Sequence, residues 1–257
     1  MSSRILLPGL RLFLFFLHFG AVSAAMWYVD DSVLQSGNGI SWGAAFKQIQ
    51  EGIDAASDGD TVLVARGVYY ENMEFKGKNI VLQSADALHP AVIDGGQRGP
   101  VVTFAGTEDE SCMLSGFRIR NGRADCGGGI RGGLDESHTR ATIVNNRIAS
   151  NFATGDLGGG GLAWCDGLIA NNLISGNSAV CGGGGLLRCH GSIRKNIICG
   201  NSAKSAGGLN SCDAAIWNNT IYGNSAYNFA GGLGWCRGTI CNCIIWGNKA
   251  AHGPPAL

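Results

Sequence analysis

The residues best suited to chemistry flank a recurring cysteine. Cys165, Cys189, Cys212 and Cys236 stand 24, 23 and 24 positions apart, and their neighbours are polar or aromatic: Trp164 and Asp166, Arg188 and His190, Ser211 and Asp213, Trp235 and Arg237. If the cysteines point inward on strands, alternation turns these neighbours outward. One outward column then reads Asp166, His190, Asp213, Arg237. In a parallel stack its two aspartates lie two rungs apart, about 9.6 Å by backbone spacing. Side-chain carboxyls about 6.5–9.5 Å apart suit an inverting glycosidase, one acting as acid and the other as base on a water. His190 would add acid/base capacity near neutral pH, and Arg237 a contact for a sugar carboxylate. Trp164, Arg188 and Trp235 would contact the substrate, the tryptophans through their apolar faces. An opposing reading needs no substrate, because charges on adjacent exposed strands pair with one another and aromatic columns pack on themselves. The leucines Leu162, Leu186, Leu209 and Leu233 have the opposite parity to the cysteines, so a bulge or corner has to separate the two columns.

These columns belong to a longer repeat. Ile174, Ile198, Ile221 and Ile245, and Asn177, Asn201, Asn224 and Asn248, keep the same step. A period of that length marks a solenoid, whose units bury their apolar faces by stacking on one another. Each apolar run has only three to five residues bounded by Gly, Asn or Ser, which favours strands over helices. The expected fold is therefore an all-β stack of coils. Leu and Ile would fill its interior, and asparagines would form a bonded column at a turn. Glycine runs at 158–161, 182–185, 207–208 and 231–232 suit a corner where a side chain would clash or φ must be positive.

Pairing Gly-Gly-(Gly)-Leu with Ile-x-x-Asn resembles the GGxI and FxxN repeats of polymorphic outer-membrane proteins and related right-handed parallel β-helix proteins. A looser copy is Gly127-Gly128-Gly129-Ile130 with Ile148 and Asn151. Residues 59–71, GDTVLVARGVYYE, resemble the first coil of the pectin-lyase-like superfamily, as do the flanking Ala45-Phe46, Ile49-Gln50, 77–82 and 92–95. The resemblance covers about residues 27–248 and implies a single-stranded right-handed parallel β-helix with an N-terminal capping helix. It also implies a scaffold like those of pectate lyases and glycoside hydrolases. Lyases of that superfamily use acidic residues that bind calcium and an Arg or Lys that removes a proton. Those residues do not match here one by one. Asp156, Asp166 and Asp213 form no recognisable calcium cluster, and Arg131, Arg188 and Lys195 have no fixed partner. Calcium is implied by the resemblance alone, and the residues themselves indicate no metal site.

Along the chain, residues 1–25 read as a secretory signal, with Arg4 and Arg11, an apolar stretch over 12–19, and small residues around Ala24 for cleavage. That stretch is too short for a bilayer of about 30 Å, which needs roughly 20 apolar residues. No transmembrane span is expected after cleavage, and the mature domain, 26–257, would be secreted or held at the cell surface. Ser41 is expected to cap a helix over 41–56 whose stripe of Phe46, Ile49 and Ile53 closes the end of the stack. Regular glycine-rich coils run over 127–248. They are interrupted near Asp135-Glu136-Ser137-His138, where an insertion leaves the stack. After Asn248 the tail contains Pro254-Pro255 and no visible capping helix, so either it folds over the last coil or the native chain is longer, the second being the favoured expectation.

Ten cysteines in an exported chain would permit disulfides. The column of four is expected to be buried thiols acting as small apolar fillers, because in-register side chains run along a line and do not converge as a thiolate metal site requires. Cys126, Cys181 and the Cys241-x-Cys243 pair are better placed for disulfides. The formal net charge is zero, from 19 basic and 19 acidic residues, which gives no electrostatic basis for nucleic acid. Two functions remain. One is binding or processing of a polysaccharide or cell-surface glycan, by a lyase or hydrolase if it is an enzyme; the other is a non-catalytic, adhesin-like structural module. A β-helix hosts both.

Overall fold

The computed structural model describes residues 24–133 and 137–252. Most of the expected signal, Asp135 and Glu136 of the insertion, and residues 253–257 with the Pro-Pro pair lie outside the described residues. The described chain is a parallel β-solenoid built from four sheets of nine, eight, six and seven strands. One coil shows the plan: Leu168–Ala170, Leu173–Ser175, Ser178–Ala179 and Leu186–Leu187 contribute one strand to each sheet in turn, and Ser192–Arg194 begins the next coil. Pairing is parallel and in register, with Ile169 opposite Ile193 and Ile193 opposite Ile216. Leu162, Leu186, Leu209 and Leu233 also stack rung on rung.

Two- and three-residue strands persist only because the corners between them are fixed. At three of the four corners a residue in the left-handed region precedes a residue turned into the stack. Asn171 (φ 56°) precedes Asn172, Gly176 (φ 62°) precedes Asn177, and Trp164 (φ 59°) precedes Cys165. The first two corners carry asparagine ladders. Asn201 donates its backbone N–H to Asn224 Oδ1 at 2.9 Å, and its Nδ2 to Asn224 Oδ1 at 2.9 Å and to Ile174 O at 2.9 Å. Its own Oδ1 accepts two bonds from Asn177. The same set joins Asn146, Asn172, Asn196 and Asn219 at the other corner. The repeat spacing pointed to the first ladder. The second is a further column, and it forms because an inward amide can satisfy backbone groups that a turn removes from the strand ladder.

The fourth corner is the glycine arm. A Cβ on Gly161 would lie 2.6 Å from the carbonyl oxygen of Gly185, and one on Gly185 would lie 2.7 Å from that of Gly208. Here glycine is required by the close approach of successive coils. One continuous core runs through the stack, led by Phe75, Phe104 and Phe117 in the early coils and by Leu, Ile and Cys later.

The N-terminal helix is shorter than expected. A 3-10 turn, Trp42–Ala44, is followed by an extended segment in which Phe46 bridges Val29, and the α-helix is Ile49–Ala55. Ser41 makes no capping bond. The helix instead starts where Glu71 accepts the N–H groups of Ile49 and Gln50, and Glu51 accepts that of Gln48. Ile49 and Ile53 are fully buried, with Phe46 packed beside them, so the expected apolar stripe does cover the first rung. No helix of the described residues is long and apolar enough to cross a membrane.

Asn201→Ala removes both sides of a buried ladder and is expected to cost about 2–4 kcal/mol, since unsatisfied buried groups cost about 1–3 kcal/mol each. Asn248→Ala, on the last described rung and 9% exposed, should cost less because water can replace its bonds. Denaturant unfolding of the two variants checks the order, and equal losses would contradict it.

Candidate functional site

The outward column exists, and the left-handed residue before each cysteine is what creates it. Trp164, Arg188, Ser211 and Trp235 all have φ between 46° and 59°. That reversal lets leucine and cysteine both face inward despite their opposite parity, and it aims the residue after each cysteine at solvent. Cys165, Cys189 and Cys212 are fully buried. Asp166 is half-buried, and His190, Asp213 and Arg237 are exposed.

These side chains do structural work as well. His190 N–H donates to Asp166 Oδ1 at 2.7 Å, Asp213 N–H to His190 Nδ1 at 3.1 Å, and Arg237 N–H to Asp213 Oδ1 at 2.8 Å. Each acceptor in the column therefore caps a backbone amide of the next coil. Because His190 Nδ1 accepts, its neutral ring carries the proton on Nε2. The three groups proposed for acid/base chemistry are thus fixed in a vertical row, each with one acceptor atom already in use.

A further residue joins them from the insertion. Thr139 returns to the stack opposite Cys165 and donates its N–H to Gly132 O, which closes the inserted loop. His138, just before it, lies over the column. Its Nδ1 is 3.0 Å from Asp166 Oδ1, and its ring stacks on His190 with centroids 5.4 Å apart and planes 16° from parallel. That contact is at ion-pair distance but lacks the alignment of a hydrogen bond, and His138 Nδ1 is itself buried. His138, Asp166, Arg188 and His190 line a shallow open depression of about 610 Å³. The insertion was legible in the sequence, but its use of His138 was not. The available signal was that Thr139 stands one rung below Cys165, which puts His138 beside the column.

Other expected site residues divide. Trp235 is 51% exposed and meets Phe229, itself 45% exposed, with ring centroids 4.6 Å apart. Trp164 is only 7% exposed, packed with Cys126, Ala163 and Leu187, and Arg131 lies over its ring at 6.0 Å. It offers no open face to a sugar. Simple alternation misplaces it, because Trp164 has a left-handed backbone and joins a second small apolar cluster with Cys126, Ala163 and Leu187. Two sites were not expected at all. Arg118 and Arg147 face each other across a rung and, with Arg120 and Ser150, line a cleft of about 220 Å³. A larger open depression of about 700 Å³ lies beside Trp42 and Arg66, away from the column.

All ten cysteines are free thiols. The buried column matches the filler role, each Sγ donating to the carbonyl two residues earlier, as from Cys189 to Leu187 at 3.4 Å. Burial, foremost, pushes the Cys189 and Cys212 thiols well above their usual range. Burial also raises Cys126, to about 12. The disulfides expected among the loop cysteines are absent. Cys126 pairs with Gly158, which in turn abuts Cys181, so the two cysteines are two coils apart, about 9.6 Å and beyond the reach of about 7 Å. Cys241 and Cys243 flank the left-handed Asn242, which sends one to solvent while the other packs on the core.

Compared with known proteins, the chain matches no family model, no curated protein and no solved structure.

Alkylation of the native protein followed by mass spectrometry is expected to label the exposed Cys241 readily and to leave Cys165, Cys189 and Cys212 unmodified until the chain is unfolded. Native labelling of Cys189 at a rate near that of Cys241 would show that the column is not closed.

Proposed function

We propose that this is an exported β-solenoid that binds an extracellular polysaccharide or cell-surface glycan along the corner carrying Asp166, His190, Asp213 and Arg237. The observation that carries this reading is the column itself. It offers one polar side chain per rung, with the open depression at its lower end and the exposed Trp235–Phe229 pair above. Fixed donors and acceptors suit sugar hydroxyls, and an exposed aromatic face suits the apolar face of a sugar ring. Because the row is held by backbone bonds, little ordering is needed on binding.

Recognition is favoured over cleavage. Asp166, His190 and Asp213 each spend an acceptor on the next coil, which leaves less freedom to exchange protons with a substrate. The resemblance to right-handed β-helices of the pectin-lyase-like kind agrees with a glycan ligand, and export agrees with the signal-like leader. The group of possible ligands that converges among the described residues is His138, Asp166 and His190, unlike the acidic set of a calcium-dependent lyase. A structural, adhesin-like role is supported by the same self-capping column, and the two readings separate on binding.

The test is a panel of neutral, uronate-containing and sulfated polysaccharides. Saturable binding is expected, weakened about tenfold, or 1.4 kcal/mol, by Trp235→Ala and by Arg237→Ala, with the β-rich spectrum unchanged. Binding that survives both substitutions at full strength would remove this corner as the site. No binding to any of the polysaccharides would favour the structural role. Release of unsaturated or reducing ends would replace recognition with a lyase or a hydrolase.

A further inference from the structure

We propose that His138, Asp166 and His190 form a binding site for a divalent transition-metal ion of the zinc type. One potential ligand atom from each residue lies within 4.8 Å of the others. Ligand atoms sharing one zinc at about 2.0–2.2 Å sit about 3.3 Å apart, so modest side-chain rotations would close the set. Two imidazoles and one carboxylate favour zinc, nickel or copper over calcium, which prefers oxygen alone. The depression is open, so a water can complete a tetrahedral shell.

The second observation is His138 Nδ1. It is buried, 3.0 Å from Asp166 Oδ1, and yet forms no hydrogen bond. Nitrogen and carboxylate oxygen are thus held at ion-pair distance without the alignment of a hydrogen bond, an approach that a shared cation would also satisfy. Asp166 is fixed for this purpose, because Oδ1 is already oriented by His190 N–H. His190 is fixed as well, but by a bond the ion has to displace. Its Nδ1 lone pair accepts the Asp213 amide hydrogen, so coordination at that atom exchanges the amide hydrogen for the metal. Arg188, the cation lining the depression, is long and exposed and can turn toward solvent.

The inference does not rest on glycan binding, and it is read by metal binding alone. Zinc chloride titrated into the full chain by calorimetry is expected to give one ion per chain, with calcium chloride failing to compete. Cobalt chloride should give a visible spectrum without thiolate-to-metal charge transfer, which separates this site from the exposed cysteines. The Asp213 amide resonance should move on zinc addition. His138→Ala, outside the amide-capping column, is expected to weaken binding at least about tenfold. Asp166→Asn keeps the oxygen that accepts the His190 N–H, so it should weaken the metal and leave the fold intact by circular dichroism. The proposal is overturned by no saturable zinc binding below millimolar concentration, by unchanged affinity in His138→Ala, or by a thiolate spectrum that disappears on alkylation.

Discussion

A parallel coil that turns every few residues has one recurring problem: each turn takes a backbone amide out of its strand ladder. The molecule depends on how those amides are satisfied. At two corners the answer is an inward asparagine whose Oδ1 takes the N–H of the asparagine one coil earlier, while its Nδ2 reaches the carbonyl of an isoleucine in the coil before, as at Asn201 and Asn224. Each side chain serves its neighbours on both sides. A two-residue strand such as Ser202–Ala203 contributes little by itself, and its register comes from these columns and from the buried Leu and Ile stacks beside them.

The cysteine corner uses the same backbone device with different chemistry. A left-handed residue again precedes an inward one, but a thiol is a weak hydrogen-bonding group and reaches only the carbonyl two residues back. The amide of the following residue still needs an acceptor. It comes from outside the barrel, from the outward side chain one coil below. Asp166, His190 and Asp213 are therefore held in line by a requirement of the fold, and this is why the corner presents a rigid polar row. A surface built in this way is preorganised without a dedicated supporting shell.

Much of this was legible from spacing. The period, the leucine and cysteine columns, one asparagine ladder and the outward column all follow from repetition, since a parallel stack turns a repeat into a line. What repetition could not supply lies where the chain departs from it. Trp164 is buried because it packs with Cys126, Ala163 and Leu187 beneath Arg131, which its repeat neighbours could not reveal. His138 comes from a nonrepeating loop, and its trace in the spacing is the 26-residue step from the adjacent Thr139 to Cys165. The helix begins at Ile49, where Glu71 from the next coil caps it, a partner that local capping signals at Ser41 cannot foresee.

The four regular coils are copies of one another, and their differences separate what the fold needs from what it leaves open. The interior positions largely repeat the same residue: Cys four times, Asn four times in one ladder, and Asn three times in the other, where Cys243 takes the fourth place. The outward position reads Asp, His, Asp, Arg. The first three can accept a hydrogen bond and do. Arginine cannot, and Arg237 stands where no described coil above it presents an amide to this column. The fold thus asks this position for an acceptor and nothing more, which Asp or Asn would supply. An imidazole at His190 exceeds that requirement, and it stands against His138 and Asp166. Function is most readily sought where a side chain is more than its structural duty demands, and in this row that place is His190.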